Sequence, residues 1–473
     1  MQYYRLKDNY VLRGWDKLPY AVADTSTGNA KFLTAKQFQA IELCDGSVDV
    51  SMPFIPDEFR QVISDAEERG FVEKCEAGQG ISESQQYRKY SSRYIRSVEW
   101  SITGRCNYKC RHCYMSAPEP GACELPHESV MGIVNQLAEC GVMTVELTGG
   151  EPLIRPDFLE IVDALRERNI LIEKIKTNGA LVSEKLLHEL DRRNVHPEFQ
   201  ISYDGKGMHD WMRGLAGAEK SAECAFRLCR DMGFRTMAGM ILHRRNMHIL
   251  RETVNHLASL GVGKFYATYT AALGEWKTRS DNQTISFSEL FQAFLDYIPH
   301  YYEDGMPMQI FLMPFFFADP KYPDEYEITA YNEAYDPEGT LLCGLARSSA
   351  YISPEGRVLM SAILAGMEIQ KDYPALSEKS FSECVSAPEY MKILDMTASD
   401  FLKVNDECRN CRFTKHCYAA CRWSAMAENE GSLLAKSPIM CELYYGGWIK
   451  KIADTMKRLR PSAECPVKDT SLL

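Results

Sequence analysis

The feature that most constrains the fold is a regular alternation of strand-like and helix-like segments that begins near residue 96. The strand-like segments read VEWSIT, MTVEL, LIEKIKT, EFQISY, TMAGMIL and KFYATYT, and helical patterns separate them up to about residue 300. Because each helix must return the chain to the same edge, this repeat predicts a parallel α/β sheet that closes, or partly closes, into a barrel. Functional side chains are expected after the carboxyl ends of the strands.

Length and composition limit the class of protein. The chain has 473 residues, so two or three domains are expected. Its net charge of −11 disfavours a nucleic acid or an anionic membrane as the main partner. Mean hydropathy is −0.30, the first residues lack an apolar signal core, and no apolar run is long enough to cross a bilayer. We therefore expect a cytoplasmic location and no membrane partner.

Seventeen cysteines are the strongest compositional signal. In a long chain without a signal peptide they indicate metal binding more than a disulfide framework. Cys106, Cys110 and Cys113 follow the first strand in C-x3-C-x2-C spacing. Structural zinc sites use four protein ligands, whereas three thiolates suit a 4Fe–4S cluster whose fourth iron stays open to a small molecule. The triplet thus favours a cluster over a zinc site or a chance spacing.

Further signals fall at the ends of the next strands. A glycine pair lets a ligand approach the backbone closely, and the glutamate after it can accept from an amine. The residues are Gly149, Gly150 and Glu151 in TGGEP, Asn178 before Gly179, and Ser202 and Asp204 in SYDG. Each motif alone could be an ordinary turn. Their succession at neighbouring strand ends of one barrel indicates a shared site.

With these motifs, residues 96–300 resemble the radical S-adenosylmethionine (radical SAM) superfamily. The match comprises the cysteine triplet, the aromatic His112 before its last cysteine, GGE and SYDG. The resemblance implies that S-adenosylmethionine fills the open iron and that its reductive cleavage yields a 5′-deoxyadenosyl radical, which abstracts hydrogen from a substrate.

The same resemblance assigns roles around the cofactor. Gly149, Gly150 and Glu151 would hold the methionyl amine, and Ser202 and Asp204 the ribose. His112 and Asn178 are also predicted to bind the cofactor. Arg213, in DWMRG, would face the carboxylate, with a solvated surface arginine as the alternative.

A second cysteine group resembles a SPASM domain, with a zinc ribbon as the alternative. The matching residues are Cys343, Gly356, Cys408, Cys411, Cys417, Cys421 and Cys441. The resemblance implies one auxiliary 4Fe–4S cluster on Cys408, Cys411, Cys417 and Cys441. It would give another to Cys343, Cys421 and the cysteine of G-x4-C, but Ser361 stands there. One auxiliary cluster is therefore expected. The sequence does not decide on a second auxiliary cluster. It could be absent, smaller, bound by Ser361 or completed by a thiol such as Cys384.

The N-terminal segment resembles a RiPP recognition element, a small winged unit that binds leader peptides. Thr34 and Gln37 form a capping box, and a second helix follows with an apolar face that includes Phe59 and Ile63. An exposed strand edge near Lys31 could accept a peptide strand. A structural cap is one alternative. A DNA-binding winged helix is another, disfavoured by the excess of Asp and Glu.

The expected fold class is α/β, a partial (β/α)6 radical SAM barrel with an N-terminal winged-helix-like domain and a C-terminal Cys-rich SPASM domain. The predicted boundaries are 1–80 for the recognition unit, 81–95 for a linker, 96–305 for the barrel, 306–342 for a bridging region, 343–445 for the SPASM domain and 446–473 for a C-terminal helix and tail.

Together these resemblances imply a radical maturase of ribosomally made peptides. The leading prediction is thioether formation from a cysteine, as in sactipeptide and ranthipeptide synthases. The alternatives are carbon–carbon or ether crosslinking, epimerisation, side-chain oxidation like that of anaerobic sulfatase maturases, and a catalytically idle binding or redox partner. The expected partners are a precursor peptide and an electron donor such as flavodoxin or ferredoxin.

Overall fold

The computed structural model describes most of the chain and is organised around one long sheet. The described residues are 1–116, 124–329, 331, 333, 335–417, 420–429, 431–469 and 472. In this part of the chain the largest sheet has ten strands, and two smaller sheets belong to the N-terminal segment.

The N-terminal unit has the expected order of strands followed by helices. Its elements are β1 (Tyr3–Leu6), β2 (Tyr10–Gly14), β3 (Ala21–Asp24), β4 (Asn29–Phe32), α1 (Ala35–Glu42), α2 (Asp57–Glu68) and β5 (Val72–Cys75). The predicted capping box of Thr34 and Gln37 is present at the start of α1. Strand β4 forms one edge of a four-stranded sheet whose order is β4-β3-β2-β6.

The stretch 81–95 is not a free linker, contrary to the prediction. Residues Arg88–Lys89 form β6, which pairs in parallel with β2. Gln85 is buried, and its amide donates to the carbonyls of Lys7 at 3.0 Å and Tyr10 at 3.1 Å. At least one polar side chain of this stretch, that of Gln85, therefore satisfies the backbone of the N-terminal unit.

The barrel strands agree with the sequence pattern, and one further parallel strand follows them. They are β7 (Ser97–Ser101), β8 (Thr144–Thr148), β9 (Leu171–Thr177), β10 (Glu198–Ser202), β11 (Thr236–Ile241), β12 (Lys264–Thr268) and β13 (Gln309–Leu312). Each pairs in parallel with the next.

Helices cover this sheet. They are α3 (His127–Glu139), α4 (Phe158–Glu167), α5 (Glu184–Arg192), α6 (His209–Arg213), α7 (Ala218–Asp231), α8 (Leu250–Ser259), α9 (Trp276–Arg279) and α10 (Phe287–Glu303). In α3 the buried side chains are Val130, Ile133, Val134 and Leu137, as the helical period predicts.

The sheet continues beyond the boundaries predicted for the barrel. Strand β14 (Phe316–Ala318) turns back against β13, and β15 (Ser349–Ile352) pairs in parallel with β7 before β16 (Val358–Leu359) closes the edge. The segments predicted as a bridge and as the start of a separate domain thus supply strands at both edges of the barrel sheet.

The C-terminal part is helical. Its helices are α11 (Phe381–Ser386), α12 (Pro388–Leu394), α13 (Ala398–Val404), α14 (Asp406–Arg409), α15 (Thr414–Cys417), α16 (Arg422–Glu428), α17 (Pro438–Tyr445) and α18 (Trp448–Leu459). Within the described ranges, none of the helices is both long and apolar enough to cross a membrane.

Candidate active site

The cysteine triplet lies in the loop after β7, at the carboxyl end of the parallel strands. Its three thiols line one cavity of about 190 Å³. The other predicted residues in that wall are His112, Gly149, Gly150, Asn178, Ser202 and Arg213. Motifs that are up to 107 residues apart in sequence therefore meet at one site, as the strand-end argument predicted.

The two glycines are needed because the cysteine loop presses against them. A Cβ on Gly149 would come within 2.3 Å of the Thr103 carbonyl oxygen, and one on Gly150 within 2.2 Å of the Arg105 carbonyl oxygen. The N–H of Gly150 donates to Thr103 O at 2.9 Å, and that of Glu151 to Arg105 O at 2.8 Å. The turn after β8 thus holds the start of the cysteine loop.

Glu151 supports the cavity from behind and does not line it. Its side chain is fully buried and accepts hydrogen bonds from the Thr177 hydroxyl at 2.7 Å and the Asn178 N–H at 2.8 Å. Burial raises the pKa of Glu151 to about 7, although both hydrogen bonds lower it. The expected direct contact with a methionyl amine does not match this geometry, because the carboxylate fixes the loop after β9.

Arg213 is buried, so the alternative of a solvated surface arginine is wrong. Its guanidinium lies 3.4 Å from His112 Nε2 and pairs with Asp204 at 2.8 Å. Burial, reinforced by the charge of Arg213, lowers the pKa of His112 to about 3, so this imidazole is neutral. Asp204 is fully buried and lies outside the cavity wall, which does not fit the prediction that it holds the ribose directly.

Lys176 is a site residue that the sequence reading missed. It lines the cavity, and its ammonium forms ion pairs with Glu99 at 2.9 Å and Glu146 at 2.7 Å. Burial opposes the charge of Lys176, but the two carboxylates outweigh it and raise its pKa. A signal was present in the alternation EKIKT, which places Lys174 and Lys176 on the same face of β9.

The triplet fits a thiolate-bound cluster. Burial raises the pKa of Cys106 to about 12 and also raises that of Cys110, so these thiols would stay protonated without a metal cation to favour the thiolate. In the described chain no three metal-binding side chains converge on one single-ion position. Three cysteines around one cavity suit an iron–sulfur cluster, in which each thiolate binds a different iron.

The C-terminal cysteines separate into two sets. Cys408, Cys411, Cys417 and Cys441 line one small cavity of about 40 Å³ whose other walls include Phe401, Phe413 and Met440. Four thiols around one apolar space form a complete ligand set for a cluster. The four cysteines predicted to bind this cluster therefore line the same cavity.

The other set lacks a full complement of thiols. Cys343, Ser361 and Cys421 line a second cavity of about 570 Å³, whose wall also includes Cys417 of the first set. Cys384 lies in α11, is fully buried, and its thiol lies 3.7 Å from the Lys379 carbonyl oxygen. It is absent from the described wall of this cavity. Apart from Cys417, two thiols and one hydroxyl therefore line this cavity where the family pattern has three cysteines.

Comparison with known proteins agrees with this site. Residues 100–257 match the family profile described as Radical SAM superfamily. The chain is 26% identical over 333 residues to PqqA peptide cyclase of Gluconobacter oxydans, covering 69% of this chain and 85% of that protein. It is 23% identical over 325 residues to the antilisterial bacteriocin subtilosin biosynthesis protein AlbA of Bacillus subtilis, covering 67% of this chain and 66% of that protein.

A solved structure shares the fold over nearly the whole chain. Streptococcus suis SuiB bound to its precursor peptide SuiA matches with a TM-score of 0.65 and 14% identity, covering 94% of this chain and all of that one. Native anSMEcpe with bound AdoMet and a peptide matches with a TM-score of 0.56 and 16% identity, covering 77% of this chain and 98% of that one. At these identities the likeness shows the fold.

Replacing Cys106, Cys110 and Cys113 together by Ala should abolish the cleavage of S-adenosylmethionine by the dithionite-reduced protein, because no thiolates remain to hold the cluster. Chromatographic detection of 5′-deoxyadenosine measures this, and iron bound elsewhere should remain. Cys224→Ala is the matched control, since Cys224 is exposed on α7 and outside the cavity wall. Deoxyadenosine formation by the triple variant would refute the assignment.

Proposed function

We propose that this chain, a radical SAM iron–sulfur enzyme, modifies a ribosomally made precursor peptide by forming a thioether between a cysteine sulfur and a carbon. The observation that carries the proposal is the combination, in one chain, of the triplet cavity at the barrel mouth with a strand-edged N-terminal unit. The peptide cyclase, the subtilosin protein and the peptide-bound SuiB among its similar proteins support a peptide as substrate.

The bound cofactors would supply a carbon radical that abstracts hydrogen from the peptide. Cys106, Cys110 and Cys113 would hold the cluster, and the backbone of Gly149 and Gly150 would form part of the wall beside S-adenosylmethionine. Ser202, Asn178 and Arg213 line the same cavity and would orient the cofactor. An electron donor such as flavodoxin or ferredoxin would supply the electron for cofactor cleavage. Closing the thioether then releases the thiol proton and one electron, which an auxiliary cluster held by Cys408, Cys411, Cys417 and Cys441 would accept.

Mass spectrometry of a candidate precursor co-expressed with the enzyme tests the reaction. Thioether formation should lower the peptide mass by the two hydrogens lost and should block alkylation of one cysteine. Co-expression with the Cys106, Cys110 and Cys113 triple variant is the control and should leave the peptide unchanged. A lower mass with all cysteines still alkylated would instead indicate a carbon–carbon or ether crosslink, and an unchanged mass would contradict crosslinking altogether.

The free edge of β4 is the proposed binding site for the leader. The N–H of Leu33 donates to Tyr20 O at 2.9 Å, so Leu33 is hydrogen-bonded to the chain at β3. In an antiparallel pair only every second residue is bonded in this way. The backbone groups of Ala30 and Phe32 therefore point away from β3, toward the edge of the sheet. The Phe32 side chain is 40% exposed, and the Lys31 ammonium lies 5.5 Å from the centre of the Phe71 ring. An added peptide strand would gain main-chain hydrogen bonds here.

Ala30→Pro should weaken binding of the leader about five- to tenfold, because proline removes one edge N–H worth about 1 kcal/mol and leaves the ladder with β3 intact. Fluorescence anisotropy with a labelled leader measures the affinity. Ala30→Val is the matched control, since it changes the side chain and keeps the N–H. Equal affinity of the proline variant and the wild type would contradict leader binding at this edge and indicate that the N-terminal unit is a structural cap.

For the auxiliary clusters we propose a full one on Cys408, Cys411, Cys417 and Cys441 and none at the cavity of Cys343, Ser361 and Cys421. A serine hydroxyl is a poor substitute for a thiolate ligand, so this second donor set is incomplete. With the radical cluster included, the protein would bind about eight irons, at about four per cluster.

Cys343→Ala should then cost no iron and leave the absorption spectrum of the reconstituted protein unchanged. Cys408→Ala is the positive control and should remove about four irons, because Cys408 lines the complete four-cysteine cavity and not the second one. Iron analysis and absorption spectroscopy make the comparison. A loss of about four irons in Cys343→Ala would overturn the empty-site proposal, and the missing ligand would then lie at Ser361, Cys384 or a substrate thiolate.

A further inference from the structure

The carboxylate of Asp204 faces the protein interior and not the cavity. Asp204 follows β10, and its side chain has no exposed surface. One oxygen, Oδ2, accepts from Arg213 Nε at 2.8 Å, and the other, Oδ1, accepts from the Ile241 N–H at 3.1 Å. Both oxygens are therefore engaged by the protein, and the side chain has no surface exposed to the cavity.

Arg213 connects this carboxylate to the cysteine loop. While one edge of its guanidinium pairs with Asp204, Nη1 lies 3.9 Å from Cys110 Sγ and 3.4 Å from His112 Nε2. A planar guanidinium keeps its donors in a fixed fork, so anchoring one edge sets the direction of the other. The position of the Nη1 donor at the cluster loop thus depends on Asp204.

The helix that carries Arg213 also holds the loop through its backbone. The N–H of Arg111 donates to Met212 O at 2.8 Å, and that of Lys109 to Arg213 O at 3.3 Å. A Cβ on Gly214 would come within 2.4 Å of the Lys109 carbonyl oxygen, so helix and loop are in close contact. The loop therefore follows the placement of α6.

The charge of Asp204 is balanced by Arg213. Burial alone would raise the pKa of Asp204, but the Arg213 guanidinium and a hydrogen bond with His209 hold it well below its usual range. The His209 ring lies 3.1 Å from Oδ2, and burial lowers the pKa of His209, so the imidazole is neutral. Removing either member of a buried pair leaves an uncompensated charge.

We propose that Asp204 is a positioning residue that holds the Arg213 guanidinium against Cys110 and His112 and so sets the reduction potential of the cluster bound by the triplet. Hydrogen bonds to cluster sulfurs and nearby charge are two of the main determinants of such potentials. The inference rests on the proposed cluster at Cys106, Cys110 and Cys113. It requires nothing of the peptide substrate, so its failure and the failure of the peptide proposal are distinguishable.

A double-mutant cycle of Asp204→Asn and Arg213→Gln should show that the effect of Asp204 on the midpoint potential of this cluster depends on Arg213. In the Arg213→Gln background Asp204→Asn only removes a negative charge and makes reduction easier. With Arg213 present it also frees the donor to Cys110, which makes reduction harder and reduces or reverses the shift. A redox titration of the reconstituted enzyme followed by electron paramagnetic resonance measures both shifts. The triplet cluster is identified as the one whose signal changes when S-adenosylmethionine is added.

Asp210→Asn is the matched control, because Asp210 is a carboxylate on the same helix that caps the next one through the N–H groups of Gly217 and Glu219. The midpoint potential of the triplet cluster in this variant should equal that in the wild type. Equal shifts of Asp204→Asn with and without Arg213 would show that Asp204 acts by its charge alone and would overturn the proposal.

If Asp204→Asn does not fold, Arg213→Lys tests the same point, since it keeps the positive charge but loses the planar fork that Asp204 orients. A midpoint potential shifted toward harder reduction supports the proposal, and an unchanged potential overturns it.

Discussion

The site depends on how the loop that carries the cysteines is held at the carboxyl end of the sheet. Two strand ends, those of β8 and β10 on either side of β9, fix this loop by different means. The turn after β8 binds it through the backbone of Gly150 and Glu151, and the segment after β10 binds it through the Asp204–Arg213 pair. The contact at the turn after β8 requires glycines, because a Cβ would collide with the loop. The contact after β10 requires the buried carboxylate of Asp204 to be paired with Arg213. The motifs on successive strands therefore act first as supports for one another.

Sequence periodicity predicted the barrel well because its strands and helices each bury one face of regular spacing. The six strands and the face of α3 agree with the pattern. Strands β13 to β16 were not predicted, since they are only two to four residues long and lie outside the βα repeat. The polar stretch 81–95 was misread for a related reason. Its Gln85 side chain is buried and bonds to backbone carbonyls, and composition does not distinguish such a residue from a solvated one.

For the candidate site, the sequence predicted where the residues lie better than it predicted what they contact. Spacing and strand ends predicted which motifs meet, and nearly all the predicted residues line one cavity. The roles of Glu151 and Asp204 could not be read from the motifs, because a carboxylate at a strand end can face either a ligand or the loop behind it. Only the contacts with Thr177, Asn178 and Arg213 distinguish the two. Lys176 was missed because its charge is balanced by residues on other strands.

The N-terminal unit attaches at the opposite end of the barrel from the cysteines. Trp15 is fully buried and donates to the Cys140 carbonyl at 3.1 Å, and Arg96, just before β7, donates to Gly28 O at 2.7 Å. These contacts lie beside the amino ends of β7 and β8. A leader on β4 would therefore start near one end of the sheet while the reacting residue sits at the other. A five-residue strand such as β8 is about 17 Å long, so the peptide between leader and modified residue must span at least that distance, about five extended residues.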